Sequence, residues 1–261
     1  MLSKNKIKYL SSLSEKKSRA ENQAFLVEGE KMVYEALGSA FEVKSIYYTD
    51  KMRESIPATL SQKIEKIEIT GNEASKISTQ KTPQGLFAEV SIPEDFYSED
   101  FSYKGQLTLA LHDIQDPGNL GTIIRTADWF GVKQIICSKS TVDILNPKVL
   151  QSTMGAAFRV KLTYTPLIET IKDLKRRHEN LPVFAAILEG TDVYRSDLPK
   201  EGILMMGNES KGLSEEIIAL ATHKITIPRF GNTETSSESL NVSVATAIIL
   251  SELRRKTIEA P

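Results

Sequence analysis

The chain has 261 residues, 40% apolar and 26% charged, and its 33 basic residues nearly balance 34 acidic ones for a net charge of −1. That length can bury a substantial core, and the composition is globular, not disordered, fibrous or membrane-spanning. One cysteine, Cys137, excludes an internal disulfide; the three histidines lack metal-ligand spacing, no signal-peptide core opens the chain, and no apolar run reaches the ~18 residues of a membrane helix, so a cytoplasmic, metal-free protein is expected.

Residues 1–20 carry Lys4, Lys6, Lys8, Lys16, Lys17 and Arg19 against Glu15 alone, a cluster that is either a solvated face or a phosphate-binding one. The stretch 29–37 reads as a helix, while 43–49, 63–70 and 85–92 contain strand-like runs. Residues 93–104 are acidic, open with proline and lack periodicity. They read as a linker, assigned as 98–104 between a small α/β domain of residues 1–97 and a second domain of 105–261.

The second domain is more regular. Residues 106–114 read as a buried strand and 119–131 as a helix, with Ile123, Ile124, Ala127 and Phe130 at helical spacing and Gly131 placed to end it. A strand follows at 132–138, then a helix beginning at Asn146-Pro147 and closing at Gly155, and an amphipathic helix from Pro166 that carries a second basic run, Lys172, Lys175, Arg176 and Arg177. Strands at 182–188 and 202–207, a helix at 213–221, a strand at 224–228 and a final apolar helix complete the pattern. Strands alternating with helices predict a mostly parallel sheet covered on both faces.

In such sheets ligands bind at the carboxyl ends of the strands, so the loops 115–121, 207–212 and 229–241 should share one edge. They hold most of the Gly, Asn, Glu and Ser clusters, yet none matches a P-loop or a GxGxxG pattern. The polar start of the last helix, Ser239-Leu240-Asn241, is either an ordinary cap or a ligand-facing helix mouth. The helix behind it is apolar nearly all round, from Val242 and Val244 to Leu253, more than one sheet face covers, and a partner subunit is the simplest cover.

Taken together, QDPGNLGTIIRTADWFGV, LMMGNESKGLS and the IP…ESLNVSVATAI stretch resemble, in order, the three signature motifs of the SpoU/TrmH branch of the SPOUT RNA methyltransferases over residues 105–256. The segments FLVEGEKMVYEAL and TPQGLFAEV resemble the small ribosomal-protein-like substrate-binding domain that often precedes this catalytic domain. The resemblance implies S-adenosylmethionine-dependent methylation of a ribose 2′-hydroxyl in structured RNA (ribosomal or transfer), a C-terminal trefoil knot, and a homodimer. Residue by residue it implies catalytic roles for Asn119, Arg125, Glu209, Ser239 and Asn241. It also implies cofactor contacts from Gly207, Glu209, Gly212, Ile227, Pro228 and Leu240, and RNA contacts from the N-terminal basic residues. A guanidinium stays protonated, so Arg125 is expected to act as a fixed cation and not as a base, with Asn119 or Glu209 orienting it. The link between Pro228 and Ser239 is longer than in the family, through 232–238, and a non-catalytic RNA-binding protein keeping this fold is the rival reading.

Overall fold

The computed structural model describes residues 1–57, 60–231 and 239–255. The longer link at 232–238 lies outside the described residues. The chain forms two compact units, one of residues 1–96 with 143–159 and the other of residues 97–142 with 160–261. Residues 143–159 therefore lie within the C-terminal stretch of the sequence yet make their contacts in the first unit.

The first unit builds a four-stranded sheet from β1 (Ala24–Glu28), β2 (Val43–Tyr48), β3 (Glu65–Glu68) and β4 (Leu86–Ser91) in the order β1-β4-β2-β3, with only β2 and β3 parallel. Successive strand residues face opposite sides. Ala24, Tyr47 and Phe87 meet Leu10 and Leu13 from α1 (Lys4–Ser12) and its following turn, and Ala74 and Ile77 from α4 (Gly71–Ile77). The other side carries Phe25, Val27, Ile46, Ala88 and Val90, all buried, under α3 (Glu30–Leu37). Between α1 and β1 lies α2 (Lys16–Asn22). The sequence reading contained neither α1, α2, β1 nor α4. Thr70 starts α4 with a capping box, donating to and accepting from Glu73.

The second unit is a six-stranded sheet in which every neighbouring pair of strands is parallel. Its strands are β5 (Leu107–Leu111), β6 (Gln134–Ser138), β7 (Lys161–Thr165), β8 (Val183–Asp192), β9 (Gly202–Met206) and β10 (His223–Thr226). The order is β10-β8-β9-β5-β6-β7, so the chain reverses direction across the sheet between β5 and β9. Its helices are α5 (Pro117–Trp129), α7 (Leu167–Arg177), α8 (Glu215–Ile218) and α9 (Val242–Arg255); α6 (Pro147–Thr153) falls in the segment that joins the first unit, where it packs on β1.

Parallel strands buried on both faces read as continuous apolar runs, and β5 and β9 are buried at every position. Ala110, Ile136, Ile203 and Met205 face α7 and α8 through Leu167, Ile171, Leu174, Leu213 and Ile217. Phe101 and Tyr103 pack on the same cluster, so the residues read as a linker at 98–104 are docked on this unit. The alternate strand residues face α5 and α9, whose Leu120, Ile123, Ile124, Ile249, Leu250 and Leu253 are buried; each such side chain contributes about 1.5–3 kcal/mol.

Helix ends follow their local chemistry. Gly131, at φ +70°, terminates α5, with Val132 N–H donating to Ala127 and Gly131 N–H to Asp128. Asn146 caps α6 and Pro147 starts it, but Met154, at φ +50°, takes the left-handed exit one residue before the expected Gly155. Gly155 is needed for its own backbone, which lies at φ +97°, a conformation that L side chains rarely adopt.

Candidate active site

The loops after β5, β9 and β10 meet at the carboxyl edge of the sheet, at the point where strand order reverses. Asn119 sits in the first turn of α5, where Pro117 starts the helix and Asp116 caps it by accepting the Asn119 N–H at 2.8 Å. This fixes the Asn119 backbone and frees its amide. The amide nitrogen donates to Glu209 Oε1 at 2.9 Å, and its oxygen accepts from the Asn241 amide nitrogen, also at 2.9 Å. One side chain thus joins all three loops, whose residues are 90 and 122 positions away in sequence.

Asn241 caps α9 and also reaches Asn119. Its oxygen accepts from Ser243 N–H at 2.9 Å and Ser243 Oγ at 2.6 Å, which closes the start of α9, while its amide nitrogen turns to Asn119. The cap reading of this helix mouth is thus met by Asn241, not by Ser239. Gly207 and Gly212 bring the β9 loop back on itself, and a Cβ on Gly207 would lie 2.3 Å from the Gly212 carbonyl carbon. Ile227 and Pro228 follow β10 half-buried, and Ser239 and Leu240 stand exposed just ahead of Asn241.

Arg125 is not brought into this network. Its neighbours Ile123, Ile124 and Ala127 are buried as expected, but Arg125 itself is exposed, on the same outer stripe of α5 as Thr122 and Trp129. Glu209 accepts from Asn119, and among the described residues Arg125 has no hydrogen-bond or ion-pair partner. α5 and α9 run side by side, joined by Asn241 to Asn119 at their starts and by Arg254 Nε donating to the Phe130 carbonyl at 2.8 Å at their ends. The outward side of the pair leaves Trp129 85% and Val244 47% exposed.

The N-terminal basic residues divide. Lys4, Lys8, Lys16 and Lys17 are exposed. Arg19 is the exception and corrects the expectation of an RNA contact: it is 2% exposed, its guanidinium donating to the Leu13 and Ser14 carbonyls and pairing with Asp143 at 2.7 Å. A cation enclosed this way is a packing element of the first unit and does not reach a phosphate. Lys6 is half-buried and committed to Glu89 at 3.0 Å, beside the rings of Tyr9 and Tyr47. Of the second basic run, Lys172, Arg176 and Arg177 pair with Glu169 or Asp173, and Lys175 donates to the Leu220 carbonyl. That run is a salt-bridged helix face.

Sequence reasoning did not single out Asn208 and Asp113. Asn208 donates to the Asp113 carbonyl at 2.8 Å, and Asp113 takes a left-handed backbone at φ +59°.

Residues 106–251 match the model of the SpoU rRNA Methylase family, and residues 4–88 match an MRM3-like substrate binding domain. The 23S rRNA (guanosine(2553)-2′-O)-methyltransferase RlmP of Bacillus subtilis is 32% identical over 95% of this chain and 96% of its own length. Among solved structures, a TrmH-family protein of Porphyromonas gingivalis superposes with a TM-score of 0.85 at 40% identity, covering 98% of this chain and 99% of that one. An AdoMet-bound rRNA methyltransferase from Sinorhizobium meliloti superposes with a TM-score of 0.83 at 31% identity, covering 99% and 97%. The joined loops at the sheet edge and these likenesses over nearly the whole chain lead to one conclusion: the chain belongs to the SpoU rRNA methylase family, an enzyme that transfers a methyl group from S-adenosylmethionine to a ribose 2′-hydroxyl of RNA.

Proposed function

We propose that this enzyme methylates large-subunit ribosomal RNA in the cytoplasm, as a homodimer whose catalytic unit closes the C-terminal trefoil knot of its family. The RlmP likeness, which runs through both units, supports the RNA class. S-adenosylmethionine supplies an electrophilic methyl on a positively charged sulfonium. The residues available suit it: Gly207 and Gly212 fold the turn after β9 tightly back on itself, and Leu188, Phe230 and Leu240, 73%, 90% and 50% exposed, offer apolar cover to an adenine near the strand ends. Ile227 and Pro228 follow directly from β10 beside them.

The protein's own work is alignment and charge stabilisation. Asn119, locked between Glu209 and Asn241, is the observation that carries the reading: a buried-edge amide with its donor and acceptor both engaged fixes the three loops as one surface. Glu209 and Ser239 hold the substrate ribose and phosphate, and Arg125 stabilises the oxygen as it loses its proton. Arg125 shares an outer face with Trp129, so a second copy covering that face encloses the arginine and removes it from bulk water.

The test is methyl transfer to total ribosomal RNA, with ribose methylations mapped in cells with and without the protein. Arg125→Ala should lose about 10²–10³ in rate with cofactor affinity intact. Arg125→Lys should retain clearly more activity if charge is the role, because lysine keeps the cation and loses only the planar fork. Near-normal turnover in Arg125→Ala would defeat that assignment.

A further inference from the structure

The turn carrying Glu209 is itself held from behind. Residues 208–212 close on reciprocal backbone bonds, Asn208 N–H to the Gly212 carbonyl at 3.1 Å and Gly212 N–H to the Asn208 carbonyl at 2.9 Å. Inside that ring the Asn208 side-chain oxygen accepts from Ser210 and Lys211 N–H at 2.9 and 3.0 Å. Asparagine bonding its own following backbone is a standard way of fixing a turn. The Asn208 amide nitrogen points the other way, to the Asp113 carbonyl at 2.8 Å.

Asp113 leaves β5 at φ +59°, a conformation that a side chain disfavours and that persists only where the surroundings impose it. Two groups do so. Its N–H donates to Ser138 Oγ, at the end of β6, at 2.9 Å, and its carbonyl accepts from Asn208. Ser138 is in turn bonded to Ser140 and Thr141 hydroxyls, at 3.0 and 3.1 Å, so the anchor is rigid. The ends of β5, β6 and β9 are thereby tied together below the surface on which Glu209 meets Asn119.

We propose that Asn208 is a positioning residue for methyl transfer: braced on the left-handed Asp113 carbonyl, it sets the Glu209 carboxylate against Asn119. This rests on the reading of Glu209 and Asn119 as site residues. The alternative, that Asn208 only stabilises the fold, makes a different prediction about coupling, which a double-mutant cycle measures.

The experiment measures steady-state methylation of ribosomal RNA by Asn208→Ala, Glu209→Ala and the double variant, with cofactor affinity by calorimetry and melting temperature alongside. Asn208→Ala should lower kcat by about 10- to 100-fold, the effect of a displaced catalytic geometry, with RNA KM little changed. In the Glu209→Ala background the same substitution should have almost no further effect, because the group it positions is gone. Asn208→Asp keeps the acceptor for the turn amides and loses the donor to Asp113, so it should stay folded and still lose kcat. Losses that multiply in the double variant, or full activity in Asn208→Ala, would each overturn the proposal. Full activity of Glu209→Ala overturns the site reading and the proposal together, and is distinguishable because in the other failures Glu209→Ala stays impaired.

Discussion

Glu89 is a carboxylate at 4% exposure on the inner face of β4, accepting from Tyr9 and Tyr47 hydroxyls at 2.7 Å each and from Lys6 at 3.0 Å. Burial by itself pushes its pKa up, but the two tyrosine hydrogen bonds and the Lys6 ammonium outweigh it and hold the group below the usual carboxylate range. A depressed folded pKa means stability that is present above the unfolded value and is lost as pH falls through the folded one. The prediction is therefore a difference: denaturant unfolding at pH 7 should find Glu89→Gln less stable than wild type by about 1.5–3 kcal/mol, the worth of hydrogen bonds to a charge. The gap should narrow as pH drops below about 4, near the ordinary carboxylate value. A gap unchanged with pH would remove the charge from the account. Lys6 and Arg19 show the limit of legibility at this scale. The sequence displays a run of cations, but which of them turn inward depends on acids 83 and 124 residues away, Glu89 and Asp143, that no local pattern links to them. That Asn119, Glu209 and Asn241 meet was legible because each stands in a long motif; Asn208, beside Glu209, was passed over because its side chain bonds only backbone atoms.

The elements best read from sequence were those with whole turns of period or several buried residues in a row: α5, α7, α9, β5 and β9. Those left unread are short. α2 and α4 have seven residues each and β7 five, too few for a period to emerge, and β1 follows α2 after a single residue, Gln23, held left-handed at φ +46°. The three-loop edge was legible for a topological reason, since parallel strands place all their exits on one side. Its fine structure rests on glycine, which gives a contrast. Gly207→Ala places a Cβ 2.3 Å from backbone of the 207–212 turn, with no flexible side chain to yield, whereas Gly71, at the start of α4, has nothing within 4 Å of its Cβ position. Calorimetry should find cofactor affinity in Gly207→Ala reduced at least tenfold, about 1.4 kcal/mol. Gly71→Ala should bind normally and melt at or above the wild-type temperature, by up to about 1 kcal/mol of stability. Equal behaviour of the two variants would show that the close approach at Gly207 is not a constraint.

At the scale of the molecule the proposal assigns two surfaces to partners. Trp129 on α5 and Val244 on α9 are exposed, while Ile123, Ile124, Ile249 and Leu250 of the same helices are buried. The proposed dimer covers these two side chains with a second copy, and association sites are marked by contiguous apolar patches of this kind. Val244→Glu and Trp129→Glu should yield a monomer by sedimentation while wild type sediments as a dimer; a wild-type monomer at micromolar concentration would sink the assembly. The second surface is the basic one on α1 and α2. Removing residues 1–97 is a poor probe of it, because residues 143–159 pack in the same unit and would lose the sheet they cover. Replacing Lys4, Lys8, Lys16 and Lys17 by Gln leaves every buried contact of the unit in place, since all four are exposed. Each lysine that neutralises a phosphate releases a counterion, and the logarithm of affinity then falls with the logarithm of salt by about 0.7–0.9 per contact. The quadruple variant should bind ribosomal RNA more weakly at low salt, and its salt slope should be shallower by about 3 if all four lysines touch phosphates. Cofactor affinity should not move, because the first unit contributes none of the loops at the sheet edge. An unchanged salt slope would mean that the RNA meets this unit elsewhere, and the four lysines would revert to a solvated face.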